Sequence, residues 1–427
     1  MALYLPADCI KETFEYLEDK DLRSCLLVNR LWCEVSVRIL WRVMQNFNTL
    51  IACLTNKSKA ILYKNGIKVS TSISRSPLFN YIIFIKMLGI NTINDEITGF
   101  LKHQPSTLQK HKSMVIITRE ILKMFMNQTT LIILHFDFGS TNIPNIPFTA
   151  YPGGKECLSD LSEFSCSSDI FPEFFCQISR ICHNLQSLKI LFTRFISNGL
   201  VELISVQKHL KTFIIILEIG GLKNFENLQY VTFPQLQILT FEHESPDYKR
   251  LIRLINFLKN NGKNLKVLGL GKEIYYGNSF ILDIVNFCPN LRSLRITYKD
   301  LYTLKYILIG YEQLESIDIL CCNDDYILER ELLEMIVEYS PKNFHEIKID
   351  MGCNVDLDTA FQWNLKSIFE SWAKRVPCIP LSLTITSNLE SEIKLQESNV
   401  ELLEKFKKFG VIKEFKIFND MTEDWHC

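Results

Sequence analysis

Asn264-Leu265-Lys266-Val267-Leu268-Gly269-Leu270 places large apolar residues at its leucine, three positions on and five positions on. The phrase returns as Asn290-Leu291-Arg292-Ser293-Leu294-Arg295-Ile296 and as Asn184-Leu185-Gln186-Ser187-Leu188-Lys189-Ile190. With any large apolar residue allowed, the spacing also fits Leu131/Leu134/Phe136, Leu210/Phe213/Ile215, Leu236/Leu239/Phe241, Leu314/Ile317/Ile319 and Phe344/Ile347/Ile349. From Leu185 the phrases begin at 185, 210, 236, 265, 291, 314 and 344, so the step stays between 23 and 30 residues. Leu131 lies two such periods earlier, with a degenerate copy expected at Leu158/Leu161. Weaker copies at Leu383/Ile385 and Phe415/Ile417 carry the pattern on. Self-similarity at a fixed period of this size marks a repeat architecture.

Between the phrases lie stretches of helical period. The spacing predicts helices over 248–259, where Leu251, Leu254, Ile255 and Leu258 share a face, and over 171–182, 326–339 and 359–373. Each unit is therefore a short strand followed by a helix. One unit cannot bury its own apolar face, so the units must stack with their strands in one parallel sheet. The fold class is α/β.

Composition bounds what such a chain can do. There are 427 residues, 47 Lys and Arg against 48 Asp and Glu, a net charge of -1 and 47% hydrophobic content. That length has ample material for a core, and the balance excludes disorder and a general polyanion binder. The start has neither a basic nor an apolar signal region, so no secretory signal is expected, and no apolar run approaches the roughly 20 residues of a membrane helix. No membrane association is expected. The 14 Cys are scattered without paired spacing, which reads as free thiols, several in apolar stretches (Cys25, Cys176, Cys182, Cys288), buried as small hydrophobes in a reducing cytoplasmic or nuclear setting.

The array resembles the leucine-rich repeat family, in its longer-period form with Cys or Asn ahead of the first leucine (Cys182-His183-Asn184-Leu185, Cys288-Pro289-Asn290-Leu291). The resemblance implies a βα solenoid, or horseshoe, over residues 126–427. Eight positions after the first apolar residue the family usually keeps Asn or Cys, whereas this chain has Gly139, Thr193, Glu218, Glu244, Glu273, Lys299, Cys322 and Gly352. Only Cys322 conforms, so irregular coils are expected. The strand face would be the recognition surface, with Lys189, Arg292, Arg295, Glu315, Asp318 and Lys348 as candidate contacts to an unknown protein target. Its change from basic Arg292/Arg295 to acidic Glu315/Asp318 reads as a face for a mixed-charge partner.

Residues 1–47 follow another rule. Pro6 suits a first helical turn, Ile10, Phe14 and Leu17 recur at helical spacing, and further helices run through Leu22–Val28 and Trp32–Val43. Three short helices are too few to bury two Trp and these aliphatics alone, so some apolar surface must seek a partner. The order Leu5-Pro6-x-Asp8-x-Ile10, Asp21-Leu22, Val28-Asn29-Arg30-Leu31-Trp32 and Leu40-Trp41 is similar to the F-box. Asp8 and Asn29 depart from its commoner residues. The resemblance implies docking onto a Skp-type adaptor, and through it a cullin, with Leu5, Pro6, Ile10, Leu26 and Trp32 as candidate contacts. Phe14, Leu17, Val28, Leu40 and Trp41 are expected inside. The bland alternative is that all these residues form an ordinary three-helix core.

Residues 48–125 are read as a helical connector that begins the solenoid, with helices expected over 77–88 and 93–102. From 45 to 112 it carries nine Lys and Arg against Asp95 and Glu96. The excess reads either as a mark for an anionic partner, the acidic surface of another subunit or nucleic acid, or as a solvated connector. The charges are dispersed rather than packed in one run, so the solvated connector is the preferred reading and nucleic acid is not the expected partner.

No enzyme chemistry is legible. Gly153-Gly154-Lys155 lacks the rest of a phosphate loop, Gly269-Leu270-Gly271 lacks a third glycine, and no C-x-x-C or His-Glu-x-x-His occurs. Asn354-x-Asp356-x-Asp358 lacks the glycine and terminal glutamate of a calcium loop. No catalytic residue, metal or cofactor is expected. The two resemblances together imply a substrate-recognition subunit of a Skp/cullin/F-box ubiquitin ligase. The alternative is a scaffold of the same build that is not coupled to ubiquitination.

Overall fold

The computed structural model describes residues 6–69, 77–104, 109–136, 146–193, 196–218, 228–243, 248–271, 278–297, 300–321, 329–350, 365–387 and 397–419. Twelve parallel strands follow one another through the sheet in sequence order. The chain divides into two compact units, Met1–Ile190 with Ser197–His209, and Leu191–Ile196 with Leu210–Cys427.

The first unit opens with helices α1 (Ala7–Phe14), α2 (Asp19–Cys25), α3 (Arg30–Leu40), α4 (Phe47–Ala52) and α5 (Asn56–Lys64). Then follow β1 (Met87–Gly89), α6 (Ile90–Lys102), α7 (Lys110–Gln128), β2 (Ile133–His135), α8 (Gly154–Leu158), β3 (Glu163–Ser167), α9 (Pro172–Ser179), β4 (Ser187–Phe192) and α10 (Asn198–Ser205). The second unit alternates β5 (Thr212–Leu217), β6 (Ile238–His243), α11 (Tyr248–Asn261), β7 (Val267–Leu270), α12 (Asn278–Phe287), β8 (Ser293–Thr297) and α13 (Leu301–Gly310). It continues through β9 (Ser316–Leu320), α14 (Glu329–Tyr339), β10 (Glu346–Asp350), α15 (Leu365–Ala373), β11 (Leu381–Ser387), α16 (Glu397–Lys408) and β12 (Ile412–Asn419).

The phrase fixes the strand. In Leu265/Leu268/Leu270, Leu291/Leu294/Ile296 and Leu314/Ile317/Ile319 the apolar triplet is buried, and each side chain contributes about 1.5–3 kcal/mol. One backbone atom marks each coil: the carbonyl just after the first apolar residue accepts from two successive N–H groups of the next coil. Gln237 accepts from Lys266 and Val267 at 2.8 and 3.0 Å, Lys266 from Arg292 and Ser293 at 2.8 and 3.0 Å, and Arg292 from Glu315 and Ser316 at 2.7 and 3.0 Å. In the first unit Lys86 holds Ile132 and Ile133, and Ile132 holds Ser162 and Glu163, in the same way.

The asparagine ahead of the phrase has its own task. Asn264 Nδ2 donates to the Pro234 carbonyl at 3.0 Å and Asn290 Nδ2 to that of Lys263 at 2.8 Å, each reaching the preceding coil. Buried amides at helix ends brace the coils further. Gln207 Nε2 donates to the Cys182 carbonyl at 2.7 Å while its Oε1 accepts from Leu185 N at 3.1 Å. Asn261 does likewise with Phe233 N at 2.7 Å and the Val231 carbonyl at 2.8 Å. Of the seven positions departing from the family's pattern, five (Gly139, Glu244, Glu273, Lys299, Gly352) lie outside the described residues, as does the conforming Cys322.

Several expectations need correction. The stretch 77–88 is not helical: it holds a short 3-10 turn, Tyr81–Phe84, and then β1. Ile85, Leu88 and Ile90 are a buried copy of the phrase, so the parallel sheet begins within the connector. The degenerate copy is Leu161/Phe164/Cys166, three residues later than expected, because Leu158 ends α8. The helices over 171–182 and 248–259 appear as α9 and α11. Those over 326–339 and 359–373 are described only from 329 and 365 onward.

The cysteines are free among the described residues, and Cys25, Cys182 and Cys288 are buried. Burial pushes the thiols of Cys157, Cys182 and Cys288 up to about 12, which leaves them un-ionised and inert. Cys9 and Cys378, by contrast, are exposed and Cys176 is half-buried. No helix among the described residues is long and apolar enough to cross a membrane.

Candidate functional site

Two surfaces, one in each unit, carry the sequence-predicted residues. The first is on α1–α3. Phe14, Leu22, Cys25, Val35 and Leu40 form its core, with the Trp32 ring edge-on to Phe14 at 5.1 Å. Asn29 starts α3 by accepting from Trp32 N at 2.9 Å, the short-polar cap that this position favours. The trio is fastened at its far end by Arg42, whose guanidinium forms a two-pronged ion pair with Glu15. That bond holds the Glu15 carboxyl below and the Arg42 guanidinium above their ordinary values.

The predicted adaptor contacts divide. Leu5 lies outside the described residues, Pro6 is exposed, and Leu26 and Trp32 are half-buried. Ile10 is only 5% exposed and belongs to the module's own core, which corrects its placement at the edge. Val28, expected inside, is 56% exposed, and Leu27 beside it is 90% exposed. Leu26-Leu27-Val28 bridges α2 and α3, where three consecutive apolar residues cannot all turn inward. Tyr16, on the α1–α2 link, is also exposed. The missed signal was this run, since the turn ahead of the Asn29-capped helix fixes which of its residues point out.

The second surface is the outward strand face of the second unit. Arg295, Asp318 and Lys348 share one register row across β8, β9 and β10. Arg295 Nε lies 3.3 Å from Asp318 Oδ2, Arg292 Nη1 3.2 Å from Glu315 Oε1, and Lys348 Nζ 3.2 Å from Glu346 Oε1. Ser316 Oγ meets Ser293 Oγ at 2.7 Å. Burial pushes the Asp318 carboxyl up, against the opposing pull of Arg295 and Lys348. The basic-to-acidic change read from the sequence is thus a set of pairs that answer one another within the face. Lys189 stands half-buried on β4 of the first unit and is not part of this group.

β5–β7 present something the sequence reading left out. Ile214 and Ile216 on β5, Ile238 on β6 and Val267 on β7 occupy outward positions and are half-exposed. Gly269 lies beside Thr240 in register, and a Cβ there would meet Thr240 Cγ2 at 3.2 Å, so the face dips at that point. The signal was present: Phe213-Ile214-Ile215-Ile216-Leu217 has no polar alternate, so its outward positions are apolar in any register. Together β5–β10 offer an apolar area beside ordered charges, the make-up of a protein-binding surface.

The glycines that resembled a phosphate loop have a packing role. Gly153, with φ +82°, opens α8 where a Cβ would collide with the Met126 carbonyl, and Gly154 abuts Thr149. The stretch Asn354–Asp358 lies outside the described residues. Among the described residues no group of three or more His, Cys, Asp or Glu is placed to hold a metal ion.

No protein-family model matches the chain, and no curated protein does. Among solved structures it is similar to a chain of the crystal structure of the Rad7 and Elc1 complex in yeast. That match has 15% identity and a TM-score of 0.40, covering 94% of this chain and 100% of that one. A chain of the TLR13–ssRNA13 complex matches with 11% identity and a TM-score of 0.31, over 70% of this chain and 44% of that one.

Proposed function

We propose that the chain is a non-catalytic substrate-recognition subunit of a Skp/cullin/F-box ubiquitin ligase. In this reading α1–α3 are an F-box that docks a Skp-type adaptor and through it a cullin, and the strand face holds a protein target. The observation that carries it is the exposed run Leu27-Val28 on a helical trio whose residue order resembles the F-box. An apolar pair held out by a capped turn is the kind of anchor that carries most of an interface's energy. Such a receptor needs no reacting group. It raises the effective concentration of the target near the ubiquitin-carrying enzyme.

The test is capture of the full chain by a purified Skp-type adaptor. Wild type should bind, and Leu27→Asp with Val28→Asp should abolish binding while the circular dichroism spectrum is unchanged. Absence of wild-type binding, or full binding by the double variant, would overturn the reading. Ubiquitin transfer to a bound partner in the reconstituted ligase then separates a receptor from a scaffold.

A further inference from the structure

A further exposed feature of the first unit is built by other helices than α1–α3. Between α5 and α7 opens a cleft of about 470 Å³ lined by Ile61, Asn65, His111, Lys112, Val115, Ile116, Arg119 and Glu120. The three aliphatic side chains are half-buried, whereas His111, Lys112 and Arg119 are exposed around them. Its charge is one-sided. α5 and α7 carry seven Lys and Arg against one acid, Glu120. The Glu120 carboxylate is buried and already answered by Lys123, whose Nζ is 2.8 Å away. Among the described residues neither Lys112 nor Arg119 has a carboxylate within ion-pair distance.

Position adds to the charge. Lys110 and Lys112 occupy the first turn of α7, which holds no acid, so their charge adds to the positive end of the helix dipole. A carboxylate settling there would relieve that repulsion. The one aromatic ring of the lining is the exposed imidazole of His111, whereas the half-buried floor of Ile61, Val115 and Ile116 is aliphatic and suits an apolar side chain.

We infer that this cleft docks an acidic peptide segment of a partner protein, with an apolar side chain seated on Ile61, Val115 and Ile116 and flanking carboxylates facing Lys112 and Arg119. It gives a role to Lys112 at the end of the basic connector and to Arg119 beyond it, which neither the adaptor surface nor the strand face uses. The inference does not rest on the ubiquitin-ligase reading.

The experiment is fluorescence anisotropy on the full chain with a short labelled peptide of Asp and Glu around a central Leu-Phe pair. Binding is expected at low ionic strength, weakening as salt is added. Lys112→Glu with Arg119→Glu should weaken it about tenfold. Replacing the Leu-Phe pair by Ser-Ser should weaken it as well. Both substituted side chains are exposed, so an unchanged thermal midpoint of the free variant shows that the fold survives. Absence of binding, binding indifferent to the charge reversal, indifference to loss of the apolar pair, or tighter binding of a single-stranded oligonucleotide would each overturn the inference.

Discussion

The carbonyl of Arg42 accepts hydrogen bonds from Lys86 N at 2.8 Å and Met87 N at 3.1 Å. Lys86 in turn does the same for Ile132 and Ile133, so the residue that ends the N-terminal trio stands where a coil's marker carbonyl stands. Trp41, buried just before it, packs on Tyr81 with ring centroids 4.3 Å apart. The end of the trio is therefore tied directly to the start of β1 within the first unit. Any protein held on α1–α3 would sit at a fixed angle to β1.

The Glu15–Arg42 pair fastens α1 to that junction, and its contribution should depend on pH. The folded pKa of Glu15 is depressed, so the stabilisation is present above the unfolded value, near 4.3, and is lost as pH falls through the folded one. Glu15→Gln should lower stability at pH 7 by about 0.5–1 kcal/mol, since the pair is partly exposed. Thermal melts of both proteins should converge toward pH 3.

Ile10 and Leu27 should separate folding from docking. Ile10→Ala removes a core side chain and should cost roughly 2–4 kcal/mol, visible as a lower urea midpoint. Leu27→Asp should leave that midpoint within about 0.5 kcal/mol while reducing adaptor capture. Equal destabilisation by the two changes would contradict the burial pattern.

That division shows what the sequence could and could not reveal. The repeat was legible because its apolar triplet must recur wherever a strand joins the sheet. The copy at Ile85/Leu88/Ile90 escaped because it lies 46 residues before Leu131, with two helices between, instead of one. Leu158/Leu161 and Leu161/Phe164 both satisfy the first interval; the fifth position is Glu163 in the one and Cys166 in the other, and the end of α8 at Leu158 agrees with the second. On the trio, helical period marks Ile10 and Val28 alike as apolar. Which of them faces inward depends on the turn before Asn29, where period gives no guidance.

Asp318 should behave oppositely to Glu15. Its folded pKa is raised, so its contribution is full below the unfolded value, near 3.9, and is lost as pH rises through the folded one. Relative to wild type, Asp318→Asn should therefore gain thermal midpoint on going from pH 4 to pH 7. A variant that instead loses ground over that range would show that Arg295 and Lys348 outweigh burial.

Gly153→Ala should be costly for two reasons. The residue has φ +82°, and an added Cβ would strike the Met126 backbone. A loss of about 2 kcal/mol or more is expected in chemical denaturation. Gly410, with φ +70° but open space around it, serves as the control. Its alanine variant should lose only the conformational part, about 1 kcal/mol.

Asn261 tests whether buried amides hold neighbouring coils together. Its Oδ1 takes the Phe233 N–H at 2.7 Å, and its Nδ2 serves the Val231 and Phe257 carbonyls at 2.8 and 3.0 Å. Asn261→Leu keeps the volume but leaves those backbone groups in an apolar site, where each lost partner costs about 1–3 kcal/mol. Phe257 still has its place in the helix, so the loss should fall mainly on the 231–233 turn. Asn290→Ala, which removes an exposed brace to Lys263, should cost only about 0.5–1 kcal/mol because water replaces the amide. Hydrogen exchange reads the difference directly: Asn261→Leu should speed exchange at Phe233 and in the strand that follows, β6, while leaving β1 and β2 protected. Uniform acceleration throughout the chain would mean that the amide supports global stability and has no particular role at this joint.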